Sequence, residues 1–237
     1  MRATVCLPTY NERENIEPML HALGAVLRPS DRVLVIDDGS PDGTGELAER
    51  LAGELPYVDV LHRERKEGLG RAYIAGFRAA LDAAAELVLE MDCDFSHDPA
   101  DVPRLIAAAD DADLVIGSRY VPGGSVRNWG ALRQLISRGG SLYARMLLMP
   151  VRDPTAGFKC IRREVLERLD LEAISSRGYM FQIETTYRAR RAGFRVREIP
   201  ITFTDRRVGQ SKMSKSIVAE AIWKVPALRL AALRGRV

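Results

Sequence analysis

Residues 32–44 read Arg32-Val33-Leu34-Val35-Ile36-Asp37-Asp38-Gly39-Ser40-Pro41-Asp42-Gly43-Thr44. An unbroken apolar run turns abruptly into acidic and turn-forming residues. The first five suit a buried strand, and the glycines allow a tight turn into a helix with Thr44 as its N-cap. The same change occurs on either side. Ala3–Leu7 is apolar and leads into Pro8-Thr9-Tyr10-Asn11-Glu12, and Glu86–Met91 leads into Asp92-Cys93-Asp94. Further strands are expected at Val58–His62 and Asp113–Gly117. Helical spacing fills the gaps at Asn15–Leu27, Thr44–Leu55, Gly70–Ala85 and Pro99–Ala109.

Short strands alternating with longer helices predict an α/β fold whose sheet is mostly parallel, with right-handed crossovers. Ligands of such sheets bind beyond the carboxyl ends of the strands. Three polar motifs are expected at that edge. The second half is less regular. Helices are expected at Ala131–Met149, interrupted by Gly139-Gly140, at Val165–Leu169 and at Met180–Ala192. Arg195–Phe203 reads as a strand, and Ser214–Leu233 as a helical tail in which Pro226 breaks the helix or opens a second one.

The chain has 237 residues and a formal charge of +3. That is long enough for a sizeable core and argues against a dedicated nucleic-acid binder. Cys6, Cys93 and Cys160 are odd in number and lack metal-ligand spacing, which fits reduced thiols in a cytosolic protein. Leu and Met in Ala131–Met149 are interspersed with Arg133, Arg138 and Arg145. No apolar stretch reaches the ~18 residues of a membrane span.

Asp92 and Asp94 would point to one side if the strand continued through them. Paired carboxylates there suit Mg²⁺ or Mn²⁺ facing a diphosphate; alternatively they form a solvated turn. One carboxylate of Asp37-Asp38 could meet ribose or base. The alternative is a turn and helix cap. The first strand lacks the Gly-x-Gly-x-x-Gly that a dinucleotide site requires, and Gly68-x-Gly70 follows no strand directly. His21, His62 and His97 read as surface or packing residues, and Glu184 as structural, with a catalytic role as the alternative. Trp129 and Trp223 are open between buried packing and membrane anchoring.

Taken together, Pro8-Thr9-Tyr10-Asn11-Glu12, Asp37–Thr44, Gly68-Leu69-Gly70, Asp92-x-Asp94, Gly117-Ser118-Arg119-Tyr120, Asp153-x-Thr155-x-Gly157-Phe158 and Arg206-x-x-Gly209-x-Ser211-Lys212 resemble the polyprenol-monophosphate mannose synthases of glycosyltransferase family 2. The resemblance implies a GT-A-type nucleotide-sugar-binding fold over residues 1–213, followed by an amphipathic tail, residues 214–237. It implies that Pro8, Tyr10, Glu12 and Asp38 hold the guanosine of GDP-mannose. Asp92, Cys93 through its backbone, and Asp94 would meet ribose, diphosphate and a divalent metal. Ser96 stands where many members have Gln as a metal ligand, so Asp94 and Ser96 are the expected metal residues. Arg119, Arg133, Arg206 and Lys212 would face donor and acceptor phosphates, with Asp94, Arg119 and Arg206 central to transfer. Met180 stands where some relatives carry Lys, and Asp153 is expected to fix local backbone.

The implied acceptor is a polyprenol monophosphate, largely dianionic at neutral pH because its second pKa is about 6. It needs no strong base, and direct attack would invert the anomeric carbon to a β-linked product. Such a lipid places the protein peripherally on the cytoplasmic face of the membrane, attached directly or by a membrane-anchored partner protein. Alternatives are glucosyl transfer to the same lipid phosphate, a polysaccharide acceptor, or a non-catalytic nucleotide-sugar-binding subunit. Thr204–Ser214 reads as a loop ordered by substrate phosphates.

Overall fold

The computed structural model describes residues 1–174, 176, 178–205 and 215–234; within 215–222 only the backbone is described. Strands β1 (Ala3–Thr9), β2 (Arg32–Asp37), β3 (Val58–His62), β4 (Leu87–Glu90) and β5 (Leu114–Ser118) alternate with helices α1 (Arg13–Gly24), α2 (Thr44–Glu54), α3 (Leu69–Asp82) and α4 (Val102–Ala108). A short 3₁₀ turn, Pro99–Asp101, leads into α4, so the helix expected from Pro99 starts later. Next come β6 (Ser125–Arg127), α5 (Ala131–Leu147), β7 (Lys159–Arg162), α6 (Arg163–Arg168), α7 (Gly178–Arg191), β8 (Val196–Pro200), β9 (Thr202–Thr204) and α8 (Lys215–Leu233).

The main sheet has the order β3-β2-β1-β4-β7-β5-β8, and β6 and β9 form a separate parallel pair. In the main sheet only β7 is antiparallel to its neighbours. The alternation of strand side chains divides the core into two layers. Val5, Leu7, Val33, Val35, Leu87 and Leu89 face α1, α2 and α4, where Ile16, Met19, Leu20 and Leu105 meet them. Cys6, Leu34, Ile36 and Val88 face α3 and α7, meeting Tyr73, Phe77, Phe181 and Ile183. Gly76 allows α3 to lie close to the sheet, since a Cβ there would stand 2.3 Å from Ile36 Cδ1.

Several expectations are corrected. Thr44 is the first residue of α2, not its N-cap. The cap is Gly43 at φ 83°, and the Asp42 carboxylate accepts from Thr44 N and Oγ1. Strand β4 stops at Glu90, so Asp92 and Asp94 lie in a turn, where Phe95 has φ 58°. Arg195–Phe203 is divided between two sheets. Ile201 makes the corner, donating to Ser118 O and accepting from Ser125 N. Gly139-Gly140 does not interrupt α5, and Pro226 lies inside a continuous α8. Strands β6 and β7 were not foreseen.

Helix α5 is a surface helix: Leu132, Leu135, Leu142 and Met146 are all more than half exposed. Val225 and Ala232 of α8 are buried and Leu228 packs on the core. Trp223, Leu230 and Leu233 remain exposed. Helices α5 and α8 pack against each other. Among the described residues no helix is long and apolar enough to cross a membrane.

Candidate functional site

Because β1, β2 and β4 are parallel neighbours, their carboxyl ends open into one cleft of about 270 Å³. It is lined by Pro8, Tyr10, Glu12, Asp38, Asp92, Cys93, Asp94, Ser96, Arg119 and Arg133, ten residues singled out from the sequence. Arg206 and Lys212 lie outside the described residues, as does most of the Thr204–Ser214 loop.

At one end the loops after β1 and β2 brace each other. Asn11 N donates to Ser40 Oγ at 3.1 Å, and Glu12 N to Thr44 Oγ1 at 3.0 Å. Asp37 is buried as a turn anchor, accepting from Thr9 Oγ1, Ser40 N and Ser40 Oγ. Asp38 is therefore the carboxylate left at the cleft. Burial raises its pKa, and the Arg63 guanidinium paired with it works in the opposite direction. Lys66 lies 3.8 Å from the Tyr10 ring centroid, so a cation on a loop that the sequence left unmarked joins this end.

The middle is carboxylate-rich. Asp94 Oδ1 accepts from Ser96 N at 3.0 Å, which closes the turn that carries Asp92 and Asp94. Ser96 Oγ is buried without a hydrogen-bond partner among the described residues. Two carboxylates and a spare hydroxyl form a hard-oxygen set that suits a small divalent cation completed by water or phosphate oxygens. Among the described residues no group of three or more His, Cys, Asp or Glu could hold a metal alone.

His97 supports this turn. Its Nδ1 accepts from Asp92 N at 3.3 Å, and its ring stacks on Phe158 with Phe203 at its edge. Burial pushes its pKa down to about 4, against the pull of Asp94. The packing reading holds for His97, but the hydrogen bond to the Asp92 backbone was not visible in the sequence.

At the far end Arg119 and Arg133 flank Trp129, at 5.5 and 4.2 Å from its ring. Trp129 is buried, which decides between the two readings of that residue; Trp223 is 79% exposed. Arg133 pairs with Asp205 at 2.7 Å. Asp153 Oδ1 and Oδ2 bind Arg119 Nη2 and Nε, and Arg119 Nη2 also donates to Thr155 Oγ1. Burial disfavours the Arg119 charge, but Asp153 outweighs it and the pKa rises. Asp153 is itself aimed by its N–H, which donates to Glu198 Oε1. Asp153 thus anchors a side chain as well as backbone. Glu184 is structural, bonded to Ser176 and Arg188. Met180 is buried in the core.

The profile of "Glycosyl transferase family 2" matches residues 4–170. The chain is 50% identical over 233 residues to "Undecaprenyl-phosphate mannosyltransferase" of Micrococcus luteus, covering 98% of this chain and 96% of that protein. It is 52% identical over 227 residues to "Polyprenol monophosphomannose synthase" of Mycolicibacterium smegmatis, covering 94% and 85%. Its fold is similar to that of "Mannosyltransferase PcManGT" from Pyrobaculum calidifontis, solved "in complex with GDP-Man and Mn2+", with TM-score 0.66 and 19% identity. That match covers 98% of this chain and 64% of the longer one.

Proposed function

The chain belongs to glycosyl transferase family 2, and on that premise we propose that it transfers mannose from GDP-mannose to a polyprenol monophosphate. The observation that carries this reading is the cleft itself, which has carboxylates at its centre and two arginines around a buried tryptophan at one end. Two relatives at 50% and 52% identity bear the names of this activity.

In this reading Tyr10, Glu12, Asp38 and Lys66 receive the nucleoside, with Pro8 at the wall. Asp92, the Cys93 backbone and Asp94 meet ribose and diphosphate. Asp94 and Ser96, with Asp92, would hold a divalent cation, Mg²⁺ or Mn²⁺. When bound, that cation supplies counter-charge for the departing diphosphate. Arg119 and Arg133, with Arg206 and Lys212 from beyond the described residues, supply counter-charge for the acceptor phosphate. The acceptor is its own nucleophile, so the protein's task is to hold two anions in line while excluding water. Attack opposite the leaving diphosphate yields the β-linked lipid phosphate.

Residues 1–213 form the transferase domain in this reading, and 214–237 the tail, whose helix α8 packs beside α5. The exposed apolar sides of α5 and α8 lie against the cytoplasmic face of a membrane, where the acceptor phosphate sits at headgroup level. A membrane-anchored partner is the competing means of attachment.

The test is turnover of labelled GDP-mannose with polyprenyl monophosphate and a divalent metal, followed by lipid extraction and NMR of the anomeric centre. A β-mannosyl lipid phosphate is expected. Turnover with UDP-glucose alone, or transfer only to sugar hydroxyls, would replace this reading with one of its family alternatives. Binding without turnover would point to a non-catalytic subunit.

A further inference from the structure

We propose that Gln182 donates a hydrogen bond to a hydroxyl of the transferred sugar, and that the buried Lys159–Glu90 pair holds its amide in the required orientation. The inference rests on the nucleotide-sugar reading above and assigns one wall of the cleft within it.

Gln182 projects from α7, is 2% exposed, and lines the cleft. Its Oε1 accepts from Lys159 Nζ at 2.5 Å, and its backbone oxygen accepts from the same ammonium at 2.9 Å. An ammonium can only donate, so this contact fixes which end of the amide is oxygen. The Nε2 group is left as the donor end, with two hydrogens to place. Neither makes a well-formed hydrogen bond among the described residues. It lies 3.7 Å from the point a Cβ on Gly157 would occupy, and Gly157 lines the same cleft. A buried amide donor without an acceptor is rare in native proteins, because it has lost water and gained nothing in return. A ligand oxygen at Gly157 would supply that acceptor.

The support beneath the amide is unusual. Lys159 on β7 and Glu90 on β4 are cross-strand partners, and both are fully buried. Burial raises the pKa of Glu90 and lowers that of Lys159, and each charge opposes the shift of the other. Gln182 also favours ionised Glu90 by acting as a donor toward its carboxylate, which occupies one of the two Nε2 hydrogens. The pair therefore keeps an ammonium beneath Gln182 and leaves one Nε2 hydrogen for the cleft. Beside Nε2 the wall is Gly157, which is small and uncharged, and His97 Cε1 comes 4.0 Å from the same Cβ position. A neutral donor beside such a wall suits a hydroxyl, whereas the phosphates have Arg119 and Arg133 available.

The experiment compares GDP-mannose with its four monodeoxy-mannose analogues, using polyprenyl monophosphate as acceptor. The variants are Gln182→Met, Gly157→Ala and Glu90→Gln/Lys159→Met. Gly157 needs no positive φ, and its added methyl would meet only ordinary contacts, so this variant should fold while filling the space above Nε2. The wild-type enzyme should lose about ten-fold in kcat/KM with one analogue, the cost of leaving the amide unpaired. In each variant that penalty should shrink to less than about two-fold, while calorimetric affinity for GDP stays within about two-fold of wild type. Variants that keep the wild-type analogue profile would overturn the inference, as would a change confined to the KM for the lipid acceptor. If wild-type protein binds GDP-mannose but never transfers its sugar, the transferase reading fails; the profile fails only where transfer is intact.

Discussion

Asp153 grips the Arg119 guanidinium with both carboxylate oxygens, at 2.7 Å from Nε and 2.6 Å from Nη2, and the two side chains are 0% and 6% exposed. The fork leaves Nη1 as the edge not engaged by Asp153. Replacing Asp153 with Asn would leave a buried cation partly unmatched, a change that costs about 3–5 kcal/mol in comparable sites. Arg119→Lys keeps the charge but cannot reproduce the two parallel bonds. Both variants should lose about 100-fold or more in kcat/KM, assayed well below their melting temperatures, with Asp153→Asn the less stable in urea. Near-normal turnover in Asp153→Asn would mean that the orientation of Arg119 is irrelevant to transfer.

Asp94→Ala should abolish transfer and weaken Mn²⁺ binding while the fold persists. The change removes the bond from Ser96 N to Asp94 Oδ1, so about 1 kcal/mol of stability is at stake. Ser96→Ala tests whether the partnerless Oγ reaches the metal. A fall of about ten-fold in Mn²⁺ affinity is expected, in the range seen when groups supporting a metal are removed. Titration of Mn²⁺ by electron paramagnetic resonance in the presence of GDP reads both variants directly, and unchanged affinity in Asp94→Ala would move the metal elsewhere.

Far from the cleft, Asp31 ties the amino-terminal strand to the rest of the sheet. Its carboxylate accepts from Ala3 N at 3.0 Å, and from Arg28 N and the Arg28 guanidinium. Burial alone would raise its pKa, but these bonds together lower it. A depressed folded value means that the stabilisation is present above the unfolded value, 3.8, and is lost as pH falls through the folded one. Asp31→Asn should therefore cost about 2 kcal/mol at pH 7, or roughly 4–8 °C in Tm. The gap from wild type should narrow below pH 3.8. Urea midpoints from pH 7 to pH 3 check this, and the KM for GDP-mannose should not move. A gap that widened in acid would mean that Asp31 is not held ionised in the folded state.

The cleft was legible because each of its three strands is an apolar run ending in a polar motif, so adjacency in a parallel sheet brings the motifs together. Strand β7 was hidden for the opposite reason. It is four residues long, opens on a buried lysine, and inserts antiparallel between β4 and β5. The pairing of Lys159 with Glu90 and Gln182 depends on that insertion, so no local pattern could reveal it. Arg119 was visible as a cation but not as one held by a carboxylate 34 residues away. Periodicity found α5 and α8 as helices but could not say which side faces the core. In the tail the arc Ile217, Ala221, Val225, Leu228 reads equally as a packed face or a membrane anchor; Val225 and Leu228 pack inward, and the side chains of Ile217 and Ala221 lie outside the described residues.

That outcome shifts the membrane question to α5. Leu132, Leu135 and Met146 are 71, 69 and 69% exposed and recur at helical spacing, with Arg138 and Arg145 exposed on the same helix. Partial insertion of such side chains gains about 1 kcal/mol each, and nearby basic residues add about as much against anionic headgroups. Leu132→Glu/Leu135→Glu/Met146→Glu should therefore weaken binding to anionic vesicles by about 100-fold, roughly 3 kcal/mol. Folding should be little affected, because these side chains leave the core untouched. The variant should keep its turnover on a short, water-soluble prenyl phosphate and lose it on a long-chain acceptor embedded in vesicles. Raised salt should release wild-type protein only in part, since the apolar contribution is not screened. Wild-type protein that stays in the supernatant over anionic vesicles at low salt would rule out direct attachment. If it sediments there as a discrete dimer that the triple variant cannot form, α5 is an interface between copies, and a membrane-bound partner must bring the enzyme to its lipid.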